Sequence, residues 1–474
     1  MQQPMPRNIA ELVQQTFEEY DTCGCSDTAA NCLIKVMRRH HIWPALQVKK
    51  FKDSNLVLLH NTYQRDDVEH FKQLYEQSRS IVLDLSQRDQ NVVVSYSNNI
   101  PVRIDIEEFA KICAPTDTFQ EAYDGTMITA YFFEDKWHFG TSCCTDADYS
   151  KFANQQKSHG HMFNEVLMTY FHTEFTPEEL NTADSLEIAR ISQRLRDMFT
   201  YHLDKTIAYE FVVLHHENPH IVDYSQMLGA GYKAIYHIAS KHRNTLQHID
   251  TSCQPLVSIG VLYPNNYADL KTAYDQMMTT NSYGFIARTV DAEYGVKLYK
   301  ISPKHIYMKE DTDPCNPNVW HNILIVYMKN RKDYQINDYI KMYVPELDLP
   351  KDDKGVALDP TYLVHTMICT LRDVLYNLYV ATTTYNTKSR RFRMKKELDQ
   401  QFPPAIRFHL AQLRHRQLNE HKDAFIKQKD VYYYLCHCNN VKNIKLLITL
   451  LATNVGYGIS ERSALCLTVL NGLL

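Results

Sequence analysis

Glycine is scarce in this chain, with 13 in 474 residues. That scarcity argues against an enzyme built on a glycine-rich phosphate loop, and no GxxxxGKS/T string occurs. The nearest approach, Gly229-Ala230-Gly231, is too short for a dinucleotide fingerprint. HExxH and GxSxG are also missing, which removes the metalloprotease and serine-hydrolase readings. Cys23-x-Cys25 with Cys32, Cys436-His437-Cys438 and His159-Gly160-His161 all lack the paired CxxC spacing of structural zinc, so no metal site is expected there. The longest apolar run, Ile444 to Ala452, is about half the length that crosses a bilayer. The first residues, MQQPMPRNIAELVQQ, carry no apolar core of an export signal. The 12 cysteines are therefore expected as reduced thiols in a cytoplasmic protein with no membrane partner.

What is present is ordinary in bulk: 44% hydrophobic and 22% charged residues, enough for about two or three domains. Tyrosine is abundant at 32, and the net charge is −4, so any nucleic-acid surface must come from local segregation of charge. Residues 1–48 read as a helical arm, with Asn8 capping an amphipathic helix over 8–20. Residues 49–312 read as an antiparallel-rich α+β body. Its predicted strands are 54–60, 80–85, 91–96, 127–133, 136–142, 206–214, 256–263, 283–290 and 296–301, interleaved with helices over 161–172 and 185–202. Residues 313–474 read as all-α. Asp359 and Pro360 cap a buried helix, and further helical patterns cover 404–428, 440–453 and 460–473.

The most informative string is Ala122-Tyr123-Asp124-Gly125-Thr126, placed directly before an alternating strand and a hairpin. Alone, Asp-Gly is a common turn dipeptide. It gains meaning from the ordered segments downstream of it. Tyr209-Glu210 sets a carboxylate inside a β-branched, aromatic strand, where a charge needs a partner or a task. Glu217-Asn218-Pro219-His220-Ile221-Val222 reads as a turn and a further strand, and then come Tyr283-Gly284-Phe285-Ile286 and a strand bearing Lys297 and Lys300.

Over roughly residues 75–310 this ordered set resembles the bacteriophage-type RNA ligases of the covalent nucleotidyltransferase superfamily. The resemblance implies a ligase-type adenylation fold, ATP and Mg²⁺ as cofactors, and RNA as partner. It places Asp124, Gly125, Glu210 and Lys297 in the catalytic set, and Tyr209, Lys297 and Lys300 against the nucleotide. The family's first motif is Lys-x-Asp-Gly, whose lysine attacks the α-phosphate of ATP; this chain has Ala122 there. The family's Glu-Gly pair reads Tyr283-Gly284, which removes a carboxylate as well. Lys136, at the start of the neighbouring strand, is the only substitute amine the hairpin suggests.

Between Lys388 and Lys429 twelve Lys and Arg stand against four acids, a local balance of +8. Arg390, Arg391, Arg393, Lys395, Lys396, Arg407 and Arg414, with Phe408 nearby, suit phosphate contacts and base stacking; the alternative is a solvated charged face. Three readings stay open: a ligase-fold protein that grips RNA ends or nucleotide without self-adenylylation, an active ligase with rearranged groups, and a virion-associated structural protein reusing the fold.

Overall fold

A computed structural model describes residues 4–23, 28–43, 45–51, 55–61, 71–86, 88, 93–96, 100–152, 155–171, 184–243, 248–249, 256, 259–280, 282–291, 295–312, 318–329, 336–344, 347, 349, 351, 354–386, 391–394, 401–420, 426–437, 441–453 and 468. The chain divides into two compact units, Met1–Pro303 and Lys304–Leu474.

The first unit opens with α1 (Ile9–Cys23) and α2 (Ala29–Arg39), packed on a four-stranded antiparallel sheet. Asn8 caps α1 as expected, its Oδ1 accepting from the Glu11 N–H at 3.0 Å. The sheet runs in order β1 (Leu46–Lys50), β2 (Leu56–Asn61), β3 (Ile81–Asp84) and β4 (Val93–Tyr96), with α3 (Lys72–Gln77) before β3. The predicted arm is thus not separate: Leu12, Leu33 and Met37 share one core with Val57, Leu59 and Ile81.

Two five-stranded sheets complete this unit. After β5 (Val102–Arg103) and α4 (Ile106–Ala110) come β6 (Thr118–Glu121), β7 (Thr126–Phe133), β8 (Lys136–Gly140), α5 (His159–Phe171) and α6 (Ser185–Thr200). Then follow β9 (Ile207–His215), α7 (Ser225–Leu228), β10 (Lys233–His242), β11 (His248–Ile249), β12 (Asn266–Tyr267), α8 (Leu270–Thr279), β13 (Phe285–Asp291) and β14 (Gly295–Ile301). The central sheet is ordered β11-β10-β9-β7-β8, and the other β12-β6-β13-β14-β5 with β5 parallel to β14. The predicted strand over 256–263 is absent among the described residues there, which form only a single bridge, Leu262 to Tyr236.

Strand alternation gives the central sheet two different faces. Tyr209, Phe211 and Val213 of β9 point into a core with Phe163 and Val166 of α5 and Leu195 and Phe199 of α6. Ala208 points the other way, into a cluster with Leu58, Val82 and Tyr131 beneath the four-stranded sheet. The chain passes from β6 in the third sheet to β7 in the central one through residues 122–125, so the Asp-Gly string joins the two sheets.

The second unit holds α9 (Lys304–Glu310), α10 (Val319–Lys329), α11 (Ile336–Tyr343), α12 (Pro360–Thr382), α13 (Pro404–Glu420), α14 (Gln428–His437) and α15 (Val441–Thr453) around one apolar core. Asp359 caps α12 as expected, accepting from the Thr361 N–H at 2.8 Å with Pro360 at the first turn. Two expectations change here. α9 packs Met308 into this unit's core, so the boundary falls at 303/304 and not 312/313. The unit is also not purely helical, because β15 (Thr383–Asn386) and β16 (Arg391–Met394) pair as a hairpin. Thr382-Thr383-Thr384-Tyr385 is the reason, a β-branched and aromatic run that favours extended backbone. The predicted helix over 460–473 lies outside the described residues apart from position 468.

Candidate nucleotide-end site

The motif segments, far apart in the chain, meet at the join between the two five-stranded sheets. β13 pairs with β6, Phe285 opposite Glu121, and the Ala122 N–H donates to the Gly284 carbonyl at 3.0 Å. β7 pairs with β9, placing Thr129 opposite Glu210. The two positions that depart from the motifs of the resembled family, Ala122 and Tyr283, line one cavity of about 590 Å³.

The retained residues around it are structural. The Asp124 carboxylate accepts the Ile221 N–H, and that of Val222 at 3.4 Å, while the Asp124 N–H donates to the Tyr224 hydroxyl at 2.6 Å. Asp124 therefore pins the 218–224 segment, which is a loop and not the predicted strand. Gly125 is not a turn glycine. A Cβ there would lie 2.6 Å from Val212 Cγ1, 2.7 Å from Leu214 Cδ2 and 2.7 Å from the Val213 carbonyl, so only glycine lets β7 start this close to β9. Gly284 sits at φ +123°, and a Cβ would run into the Ile301 carbonyl. Packing demands glycine at both positions.

Glu210 is buried at 3% exposure, with the Arg79 guanidinium 3.9 Å from its Oε1. Across β9–β10, Ala239 stands opposite Glu210 and Lys241 opposite Ala208, so the Lys241 amine lies diagonal to Glu210 on the same face. Burial pulls the Lys241 pKa down to about 7; Glu210 opposes this, while Arg288 and Arg79 reinforce it. Lys241 was invisible in the sequence because β10, with polar residues scattered through KAIYHIASKH, does not alternate cleanly.

Tyr209, expected to stack on a purine, does not face Glu210. Adjacent strand residues point to opposite sides, and the Tyr209 ring lies in the α5/α6 core with its hydroxyl accepting the Asp204 N–H at 2.7 Å. The two motif lysines also part. Lys297 shares the β14 face of Tyr299 and Ile301, which pack with α4 and α8. Lys300 lies on the opposite face, its Nζ 3.4 Å from the centroid of the Tyr283 ring. Only Lys300 reaches the motif junction. Lys136, exposed and opposite Phe133 at the hairpin end, does not line the cavity.

Tyrosines wall the cavity: Tyr123, Tyr224, Tyr267 and Tyr283. Tyr123 stacks on Tyr236 at 3.8 Å and donates its hydroxyl to Glu121 Oε2 at 2.8 Å, and Asn265 Nδ2 donates to the same oxygen at 2.7 Å. Burial, helped by the Glu121 charge, pushes the Tyr123 hydroxyl well above the ordinary tyrosine range, and Tyr267 up to about 12. These hydroxyls are neutral at physiological pH. Glu121 and Asp223 supply carboxylates, and no lysine, arginine or histidine is among the described lining residues. A magnesium triphosphate needs cations against its phosphates. ATP with Mg²⁺, implied by the family resemblance, is thus poorly matched to this cavity.

The basic segment is only partly described. Arg390, Lys395 and Lys396 lie outside the described residues; Arg391 and Arg393 are backbone positions of β16 whose side chains also lie outside them. Arg414 is a tie between helices, its Nη2 donating to Thr382 Oγ1 at 2.8 Å. Arg407 is half-buried on α13 beside Phe408, which is 50% exposed. Of the seven positions, only Arg407 and Arg414 have described side chains, and both are half-buried.

No family model and no curated protein matches this chain. Among solved structures it is similar to a putative ATP-dependent DNA ligase from Aquifex aeolicus, at 9% identity and TM-score 0.35, covering 65% of this chain and 70% of that one. It is also similar to an archaeal ATP-dependent RNA ligase in two forms, at 10% identity and TM-score 0.36, covering 76% and 82%. The overlap is too loose to carry residues across, and the site stands on its own geometry. No helix among the described residues is long and apolar enough to cross a membrane.

Proposed function

We propose that this is a ligase-like nucleotidyltransferase fold that holds RNA ends, or the nucleoside part of a nucleotide, without forming a lysine–nucleotide bond. The observation that carries this is the composition of the motif cavity. It is bounded by the Ala122 methyl group and Tyr283 where the family places an amine and a carboxylate, and the rest of its described lining offers no amine. Phosphoramidate formation needs a partly neutral amine held in line with a leaving pyrophosphate. What the cavity retains, aromatic walls with hydrogen-bonding groups beside them, suits a base. RNA phosphates would be met by the basic segment between Lys388 and Lys429.

A second reading, an active ligase with rearranged groups, is favoured by one observation: the Lys241 amine has a pKa near 7 beside Glu210. In that case Lys241 Nζ attacks the α-phosphorus, a P–N bond forms, the bond to the bridging oxygen breaks and pyrophosphate leaves. Its 3% exposure and its absence from the cavity lining stand against this.

One experiment separates the two. The full chain is incubated with α-labelled ATP or GTP and Mg²⁺ or Mn²⁺, then run on a denaturing gel. No covalent band is expected; a band that Lys241→Arg abolishes would replace the first reading with the second. RNA binding is checked by reversing charge at Arg390, Arg391 and Arg393. Weaker binding with a shallower salt slope is expected, and unchanged values would remove the basic segment from the function.

A further inference from the structure

The tyrosine cavity has a charge character at odds with an ordinary nucleotide. Its only charged lining residues among those described are acids, Glu121 and Asp223. Tyrosine rings attract cations at their faces; the Lys300 ammonium already occupies one face of Tyr283, 3.4 Å from its centroid, which leaves Tyr123, Tyr224 and Tyr267 as the aromatic walls for a ligand. At about 590 Å³ the space suits a ligand of nucleotide size. A neutral base would gain stacking here but no electrostatic attraction, and a polyphosphate would be repelled.

We propose that the cavity binds a positively charged purine, specifically the N7-methylated guanine at the 5′ end of a capped RNA. Methylation at N7 places a positive charge on the ring system, which strengthens stacking on tyrosine and attraction to nearby carboxylates. The guanine edge presents the N1–H and N2–H₂ donors, and Glu121 is the acceptor suited to them. Its Oε2 is engaged by Tyr123 and Asn265, which fix the carboxylate in place. Asp223 is exposed at the rim and adds negative potential there. The phosphate bridge would lead out of the cavity, away from Glu121. This inference rests on the proposal that the site receives an RNA end, and it names which end.

The test uses the full chain and four small ligands, m7GpppG, GpppG, m7GMP and GMP, with calorimetric titration. The methylated cap dinucleotide is expected to bind at least about ten-fold more tightly than its unmethylated form, with m7GMP showing the same preference over GMP. Equal affinities within a pair, or no binding of either methylated ligand, would overturn the proposal. Glu121→Gln is expected to reduce the preference to about two-fold or less. Asp223→Asn, a rim change that preserves the side-chain hydrogen bond to the Ser225 N–H, is expected to reduce it by a smaller factor. Unaltered preference in both variants would also overturn it. Uncapped 5′-phosphorylated RNA serves as the reference. If it binds while methylation has no effect, only this inference fails; if neither RNA nor cap ligand binds, the broader reading fails with it.

Discussion

Two polar centres lie on opposite faces of the central sheet, and they solve the burial of charge in opposite ways. On the helix-packed face, the fully buried Glu165 of α5 is surrounded by Lys157 Nζ at 2.6 Å, Lys233 Nζ at 2.8 Å, His215 Nε2 at 3.0 Å and His161 Nε2 at 3.3 Å. On the other face the motif cavity is lined by tyrosines and two acids, and the Lys300 ammonium rests on its Tyr283 ring without lining it. The first centre balances its charges internally, with Glu217 Oε1 2.8 Å from the same Lys157 Nζ, although Lys157 and His161 at its edge line a second cavity. The second is open and electrostatically one-sided. A protein ties off charges that serve only the fold, and one-sided charge in a cavity is the mark of a ligand supplied from outside.

The comparison breaks most clearly at Glu165. Burial alone would raise its pKa, but hydrogen bonds from His161, His215, Lys157 and Lys233 outweigh this and hold the carboxyl well below its ordinary range. Glu165→Gln leaves Lys233 without its carboxylate partner and Lys157 with Glu217 alone, and is expected to cost about 3–5 kcal/mol of stability, read from denaturant unfolding. Acid should attack the same face. His237, fully buried against Phe211, is held neutral by burial with its pKa down to about 4. Because the unfolded chain binds this proton at higher pH, stability is full above about 6.5 and falls as pH drops toward about 4, by at most about 3 kcal/mol. Unfolding midpoints at pH 7, 6 and 5 that do not decline would refute this.

Smaller changes sharpen the cavity side. Gly125→Ala forces a methyl group against Val212, Leu214 and a backbone carbonyl and is expected to cost about 1–3 kcal/mol. A stability unchanged within error would mean that the β7–β9 contact is looser than described. Asp124→Ala removes the acceptor for two N–H groups, at about 1–2 kcal/mol, and its signature is faster amide exchange confined to residues 218–224. Exchange spread over the whole sheet would show that Asp124 supports more than this loop.

Much of the fold was legible because its signals are local. The alternation over 127–133 and the β-branched, aromatic run over 206–214 marked β7 and β9 to within a residue, and Asp359-Pro360 marked the start of α12. β10 and α8 escaped, since their patterns mix polar and apolar residues that only long-range partners sort into faces. The hairpin at 383–394 was masked by the helices on either side of it. At the site, the order of the motif strings identified the segments that meet, yet it misassigned two side chains. Tyr209 and Lys297 have the right neighbours in sequence and the wrong parity on their strands.

The sequence by itself determined which groups stand at the motif positions, because Ala122 offers no amine and Tyr283 no carboxylate in any fold. It also determined where the backbone can close, through Gly125 and Gly284. Only the tertiary structure decided that these two departures line one cavity, that Lys300 and not Lys297 stands behind it, and that its described walls are aromatic and acidic. The physical reason is that identity is carried by single residues. Sidedness, burial and charge balance belong to strands paired across 80 or more positions of chain, as Thr129 is with Glu210.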